Sequence, residues 1–392
     1  LKPSLLQCKK AAHAIQTAKR PLIYAGGGIV SSRASAELRS FVKKSGIPVT
    51  TTVMGLGAFP STDPLSLRML GMHGAVYANI AINNADLVIA MGVRFDDRVT
   101  GKLAEFCKDA QFIHIDIDPA EINKNILVDI PIQGDVKEAL KILHGYVQPK
   151  KDIKPWIKQI QGWKKEFPLE FESKKNEIVP QSVVSDINKL AAKDAIFSVG
   201  VGQHQMWSAQ FLDFDRPNNW LCSSGLGAMG YGLPAAMGAQ VAFPNKQVIN
   251  IEGDGSFLMN IQELQTLKIE NIPVKNIILN NAHLGMVAQW EDRFYKSLRG
   301  HTFIGDANFA EVAHAFGIKS ESISDPKDVI PALKRMLKHN GPYVLDVKYP
   351  YNDKSYGHVM PMIPGNHTYL DTCLDASTSL RDYWKKKGLL EE

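Results

Sequence analysis

Apolar residues recur at helical spacing over residues 5–18. An unbroken apolar run follows, Pro21-Leu22-Ile23-Tyr24-Ala25, and ends at Gly26-Gly27-Gly28. A run that short, closed by glycine, predicts a buried strand and a turn. A helical pattern over residues 34–44 stops at Gly46, and residues 47–52 are rich in β-branched side chains. Residues 86–92 and 112–118 read as further buried strands, the second with Asp116 and Asp118 at its carboxyl end. Continuous apolar strands alternating with helices predict a parallel sheet covered on both faces. The pattern is lost over residues 148–179, where lysines, Trp156, Trp163 and Pro168 appear without an apolar strand. A boundary and a partly helical linker are expected there. A second block begins near Pro180, with strands over 195–199, 247–251, 274–279 and 343–347. The expected fold class is α/β: two doubly wound parallel-sheet domains, 1–147 and 180–365, followed by a polar tail over 366–392.

Composition narrows the classes. The chain has 392 residues, 45% hydrophobic and 22% charged, which fits two to three globular domains. The net charge of +5 is weak over this length and unclustered, which argues against a nucleic-acid-binding protein. No run of 18 apolar residues occurs, so no membrane-spanning helix is expected. Cys8, Cys107, Cys222 and Cys373 are dispersed without CxxC spacing, which suits a reducing compartment. The first residue is Leu1 and no signal peptide follows, so the chain is expected to be part of something longer, or a processed product.

Gly253-Asp254-Gly255-Ser256 and Asn280-Asn281 carry the strongest chemical signal. Each pair alone is ordinary turn chemistry. Here both follow apolar strands, and 24 residues lie between Gly255 and Asn280, room for one helix and one strand. The two loops then meet at the carboxyl edge of a parallel sheet, where α/β folds bind ligands. Asp254 and the Asn281 amide are hard oxygen ligands suited to Mg²⁺, whose shell is completed by phosphate and water. Gly255 admits a close backbone approach, and a helix opening near Ser256 would present N–H groups to a diphosphate.

These motifs resemble the thiamin diphosphate motif, and their surroundings resemble the large subunit of acetohydroxyacid (acetolactate) synthases. The strings that carry the resemblance include Val201-Gly202-Gln203-His204-Gln205-Met206-Trp207, Ser223-Ser224-Gly225-Leu226-Gly227-Ala228-Met229-Gly230 and Leu284-Gly285-Met286-Val287. Gln289-Trp290-Glu291-Asp292-Arg293-Phe294-Tyr295, Gly92-Val93-Arg94-Phe95-Asp96-Asp97-Arg98 and Gly71-Met72-His73-Gly74 belong with them. The resemblance implies that Asp254, Asn281 and the backbone oxygen of His283 hold Mg²⁺. It implies that Gln203, His204, Gly227, Ala228, Gly255, Ser256 and Met286 line thiamin diphosphate, and that Gln203, Met229 and Trp290 act in catalysis. Met229 would sit beneath the cofactor and impose a bent shape, bringing the aminopyrimidine nitrogen close to the thiazolium C2. The implied reaction decarboxylates pyruvate and joins the remaining two-carbon unit to a second 2-keto acid, pyruvate or 2-ketobutyrate. Trp290 would wall the acceptor pocket and favour 2-ketobutyrate. Taken without the resemblance, Met229 and Met286 are ordinary core fillers and Glu291, Asp292 and Arg293 a solvated charged turn.

For the first block the residues alone suggest a dinucleotide site and do not tell FAD from NAD. The resemblance implies FAD, in a Rossmann-like central domain, against Gly27, Thr52, Val53, Leu70, Gly71, Met72, His73, Gly92, Val93, Arg94, Phe95, Asp96, Asp116, Ile117, Asp135 and Val136. In that family the flavin is largely structural. The family's activating glutamate lies in an N-terminal domain of a partner subunit, so the chain is expected to be two thirds of a three-domain enzyme, poorly active alone. Glu252, next to the glycine loop, lies at the wrong end of the cofactor to replace that glutamate. The family's Pro-Met-Ile-Pro segment appears at residues 361–364 with Asn366 where glycine is expected, and residues 351–357 lengthen the loop before it. A homodimer or tetramer with shared active sites is implied, with a small regulatory subunit as a further partner and no nucleic acid or membrane. The implied role is valine, leucine and isoleucine synthesis, in the cytoplasm or in a plastid or mitochondrion. Two rivals remain: a related thiamin/FAD pyruvate oxidase, and a non-catalytic partner of a complete paralogue.

Overall fold

The computed structural model describes residues 1–150, 152–171 and 173–351, so the expected tail, the 361–364 segment, Asn366 and Cys373 lie outside the described residues. The chain divides into two compact units. The first holds Leu1–Glu170 and Asp213–Pro217, the second Phe171–Leu212 and the described residues from Asn218 onward.

The first unit contains β1 (Pro21–Ala25), β2 (Val49–Thr51), β3 (Ser66–Met69), β4 (Leu87–Met91), β5 (Gln111–Asp116) and β6 (Ile130–Gln133). All pair in parallel, in the order β3-β2-β1-β4-β5-β6. β1 and β4 are buried at every position, which is why they read as unbroken apolar runs. The helix Ser35–Ser45 ends where Gly46 takes φ +73° and its N–H returns to the Val42 carbonyl. That left-handed cap is open to glycine at little cost. Part of the expected linker is core: the helix Lys154–Glu166 buries Trp156 and Ile160 in the first unit, and the Trp156 indole donates to the Pro21 carbonyl at 3.0 Å.

The second unit contains β7 (Ile196–Val199), β8 (Trp220–Cys222), β9 (Val248–Gly253), β10 (Lys275–Asn280), β11 (Lys319–Ile323) and β12 (Tyr343–Lys348). They too pair in parallel, in the order β11-β12-β10-β9-β7-β8. Leu233, Leu264, Ile278, Phe309 and Val344 are among the side chains that close one face of this sheet. Phe257 meets Phe309 edge-on, with ring centres 5.5 Å apart. No helix among the described residues is long and apolar enough to cross a membrane.

Candidate functional site

From β7 the chain moves to β8 on one flank of the sheet; from β9 it moves to β10 on the other. Loops that part in this way leave a crevice at the carboxyl edge. The crevice here holds about 410 Å³ of empty space, continuous with solvent. Gln203 and His204 reach it from the loop after β7, Asp254, Gly255 and Ser256 from after β9, and Asn281 and His283 from after β10. Met229 and Met286 complete the set. Residues as far as 80 positions apart in sequence, Gln203 and His283, are therefore gathered by strand order.

Asp254 is the organiser. Its carboxylate is 3% exposed and accepts from Gly255 N at 2.7 Å, Asn281 N at 3.1 Å and His283 N at 3.2 Å. Burial nonetheless pushes its pKa up to about 6. The Asn281 side-chain oxygen accepts from His283 N at 3.0 Å, and His283 Nδ1 lies 2.7 Å from the Asn281 carbonyl. Among the described residues no group of three or more His, Cys, Asp or Glu is placed to hold a metal. This site instead offers one carboxylate, one side-chain amide oxygen and a backbone carbonyl, a hard-oxygen set. The helix after β9 begins at Asp254 rather than near Ser256, and its Gly255 amide is taken by Asp254, so it is not free for a phosphate.

Several polar atoms in and behind the crevice lining have no hydrogen-bond partner. Gln203 is 3% exposed, yet neither its Oε1 nor its Nε2 makes a hydrogen bond. His204 Nε2 is equally bare, and burial drives that imidazole down to about 3, so it is neutral. Glu252, fully buried on β9, accepts from Leu233 N at 3.0 Å and leaves Oε2 3.8 Å from His204 Nε2. Burial lifts Glu252 to about 7. Gly253 is required by this packing, since a Cβ there would stand 2.7 Å from His204 Nδ1.

Other expected site residues stand differently. Gly227 and Ala228 are exposed on a turn outside the crevice lining, where Gly227 N bonds the Ser223 carbonyl and Ala228 N the Ser223 hydroxyl. Trp290 is half-buried against Phe294, ring centres 4.7 Å apart, on the helix Gly285–Phe294. It lies one turn beyond Met286 on the same helix face but does not line the crevice. Sequence reasoning missed Tyr349 and Leu279. Tyr349 follows β12 and its N–H bonds the Asn280 carbonyl, a contact visible only once β12 is known to lie beside β10.

In the first unit the expected dinucleotide residues lie on loops stitched along the carboxyl edge. Gly28 N bonds Gly92 O, Thr52 N bonds Ala25 O, Leu70 N bonds Thr51 O, and Gly92 N bonds Ile115 O. Gly28 and Gly92 touch backbone to backbone, and a Cβ on Gly28 would lie 2.6 Å from the Gly92 Cα. Gly71, at φ +96°, is held at both N and O by the buried Asn79 amide, at 2.8 and 3.0 Å. Gly27 opens a short helix, Thr52 caps the turn holding Val53, and Met72 is buried beside the half-buried His73. Arg94 pairs with Asp96 and remains largely exposed. Some side chains are already engaged. Phe95 is buried among Tyr24, Phe106, Phe112 and His114, Asp135 caps the helix Val136–Tyr146, and Val136 is in the core. Val93 is buried too, Asp116 accepts from Asp118 N at 2.9 Å, and Ile117 points to solvent. For Phe95, Val93 and Val136 only the backbone is left to meet a ligand.

Comparison with known proteins agrees with this layout. Residues 8–143 match the family described as thiamine pyrophosphate enzyme, central domain. Residues 200–347 match the thiamine pyrophosphate enzyme C-terminal TPP binding domain. The chain is 50% identical over 370 residues to acetolactate synthase 1, chloroplastic, of Zea mays, covering 91% of this chain and 57% of that one. It is 51% identical over 370 residues to acetolactate synthase 1, chloroplastic, of Oryza sativa subsp. japonica, with 91% and 56% covered. It is 48% identical over 380 residues to acetolactate synthase, chloroplastic, of Arabidopsis thaliana, with 94% and 56% covered. The chain thus spans somewhat more than half the length of these relatives. With a central and a TPP-binding domain in succession and this similarity along nearly its whole length, the chain belongs to the thiamine pyrophosphate enzymes and is a homologue of the acetolactate synthases.

Proposed function

We propose that the protein acts as an acetolactate synthase, taking two molecules of pyruvate to acetolactate and CO₂, or pyruvate and 2-ketobutyrate to acetohydroxybutyrate and CO₂. The observation that carries this reading is the buried Gln203 amide, without a hydrogen-bond partner, on a residue that lines the same crevice as Asp254 and Asn281. Buried polar atoms without partners are rare in folded proteins and mark places where a ligand completes the set. A Mg²⁺-diphosphate suits them: oxygens from Asp254, Asn281 and the His283 backbone for the cation, and Gln203 for diphosphate oxygens. His204 is neutral, so it would meet an anion as a neutral N–H donor rather than as an ion pair. Thiamin diphosphate held by these residues would supply the carbon nucleophile that decarboxylation and carboligation of 2-keto acids require. The chain's own residues place and enclose it. Met229 gives an apolar, polarisable surface on one wall, and Met286 and Val287 give another. Trp290, further along the same helix as Met286, is proposed to shape the pocket for the second keto acid.

FAD at the carboxyl edge of the first sheet is proposed on the Gly28–Gly92 contact and the clamped Gly71 loop, both of which bring bare backbone to one edge. Leu226, Met259 and Val287 leave apolar surface in solvent on segments that carry the thiamin site, which favours a second copy as partner. The named relatives are chloroplastic, and a plastid is the compartment proposed. The test is acetolactate formation from pyruvate, with thiamin diphosphate and Mg²⁺, by the purified protein together with the glutamate-bearing N-terminal domain of the family. One CO₂ per acetolactate supports the reading. Binding of cofactor with flavin reduction by pyruvate, and no acetolactate, would replace it with an oxidase.

A further inference from the structure

His283 stands on a turn that needs outside support. Ala282, before it, has φ +61°, a conformation that costs a non-glycine residue about 1 kcal/mol or more. The turn is gripped by residues 302–304: Leu284 N bonds the Thr302 carbonyl at 2.8 Å and Ile304 N bonds the Ala282 carbonyl at 2.9 Å. That gripping segment is in turn tied to the helix Gly285–Phe294. Glu291 accepts from Gly300 N at 2.8 Å and from the Thr302 hydroxyl at 2.9 Å. Arg299 donates to the Ala288 carbonyl at 2.6 Å and to Asp292 Oδ2 at 2.8 Å. Its guanidinium lies 5.0 Å over the Tyr351 ring. Tyr351 gives its hydroxyl to the same Asp292 oxygen at 2.9 Å and stacks on the His283 imidazole, ring centres 4.9 Å apart. The circuit closes on the helix that carries Met286 and Trp290: His283 stacks on Tyr351, Tyr351 bonds Asp292 of that helix, and Arg299 holds the Asp292 carboxylate and the Ala288 carbonyl of the same helix while lying over the Tyr351 ring. Arg299 and Asp292 lie outside the crevice lining.

We propose that Arg299 is a positioning residue, the latch that fixes the strained His283 turn against the helix Gly285–Phe294 and so sets the affinity of the crevice for its divalent cation and diphosphate. The inference rests on the cofactor reading given above. Its physical basis is that a ligand carbonyl must be held in place before the cation arrives, because the cost of ordering the turn is otherwise subtracted from binding. Arg299 suits the task, since its planar fork reaches a helix carbonyl and a carboxylate at once.

The test titrates Mg²⁺ at saturating thiamin diphosphate in the purified full chain, reading tryptophan fluorescence, with thermal denaturation of the cofactor-free protein alongside. Arg299 is about one third exposed, so Arg299→Ala opens no buried cavity. The expected result is a Mg²⁺ half-saturation about tenfold higher in Arg299→Ala, with the cofactor-free melting temperature lowered by no more than about 4 °C. Arg299→Lys should fall between, because one ammonium does not hold both acceptors. Tyr351→Phe, which keeps the stack and loses the bond to Asp292, should shift less than Arg299→Ala. A lowered melting temperature with Mg²⁺ half-saturation within twofold of the unmodified protein overturns the inference, as does no change in either. If the unmodified protein binds neither Mg²⁺ nor thiamin diphosphate, the cofactor reading itself falls and takes the latch with it.

Discussion

Replacing Gln203 with Met separates ligand binding from folding. Gln203 is 3% exposed and both polar atoms of its amide lack partners. A buried amide without hydrogen bonds costs the folded state about 1–3 kcal/mol. Met has nearly the same length and no amide, and a swap of similar volume in a packed site costs under about 1.5 kcal/mol. The cofactor-free protein should therefore gain about 1–2 kcal/mol, a rise of about 2–8 °C in melting temperature for a unit of this size. The same change should weaken thiamin diphosphate, because a hydrogen bond to a charged oxygen contributes about 1.5–3 kcal/mol, or about tenfold to a hundredfold in affinity. Differential scanning calorimetry with and without cofactor reads both effects. A cofactor-free Gln203→Met protein that melts lower than the unmodified one would refute the reasoning, since the amide would then be satisfied without a ligand.

Other substitutions probe other parts of the account. Asp254→Asn removes the one carboxylate among the described residues that line the crevice, the proposed Mg²⁺ ligand; thiamin diphosphate with Mg²⁺ at a hundred times its dissociation constant should stabilise the unmodified protein by about 2.7 kcal/mol, or about 5–10 °C, and Asp254→Asn hardly at all. Gly28→Val should press into the Gly92 backbone; the unmodified protein is predicted to carry visible flavin absorbance through gel filtration and the variant to lose it. Trp156→Ala should cost about 3–5 kcal/mol in denaturant unfolding, because the ring is 2% exposed and its indole holds the Pro21 carbonyl. Burial lowers Lys275 to about 8, where it donates to the His339 and Gly341 carbonyls. Between pH 8 and about 10.4 the unfolded chain binds this proton and the folded one does not, so the group makes stability rise with pH across that window. The stability difference between the unmodified protein and Lys275→Met should shift in that sense over this range, and a flat difference would contradict it.

Strands buried on both faces were legible because burial makes them continuous: β1 and β4 are unbroken apolar runs, and β9 and β10 keep apolar cores around the buried Asn250 and Asn276. The edge strands β3, β8 and β11 were not. β11, Lys319-Ser320-Glu321-Ser322-Ile323, is polar because one flank is unpaired, and β3 carries Arg68 at a positive φ. β8 is three residues long and has no periodicity to read. At the site, Gly253–Ser256 and Asn280-Asn281 were legible because each closes a strand and the strands are neighbours. Tyr349 was not, because its place depends on β12 pairing with β10. Glu291 and Asp292 look like a solvated charged turn in one dimension; in space they anchor Arg299, Gly300 and Thr302. The start of the helix at Asp254 was also hidden, since the side chain that could receive a cation is the one that takes up the first free amide.

The most direct test of the central claim is equilibrium dialysis of thiamin diphosphate against the purified protein, with Mg²⁺, without it, and with Asp254→Asn. The account predicts binding that requires Mg²⁺, is reversed by chelation, and is lost in Asp254→Asn. Binding of equal strength in all three conditions would contradict it, because the crevice would then hold the cofactor without the cation that Asp254 and Asn281 are proposed to share.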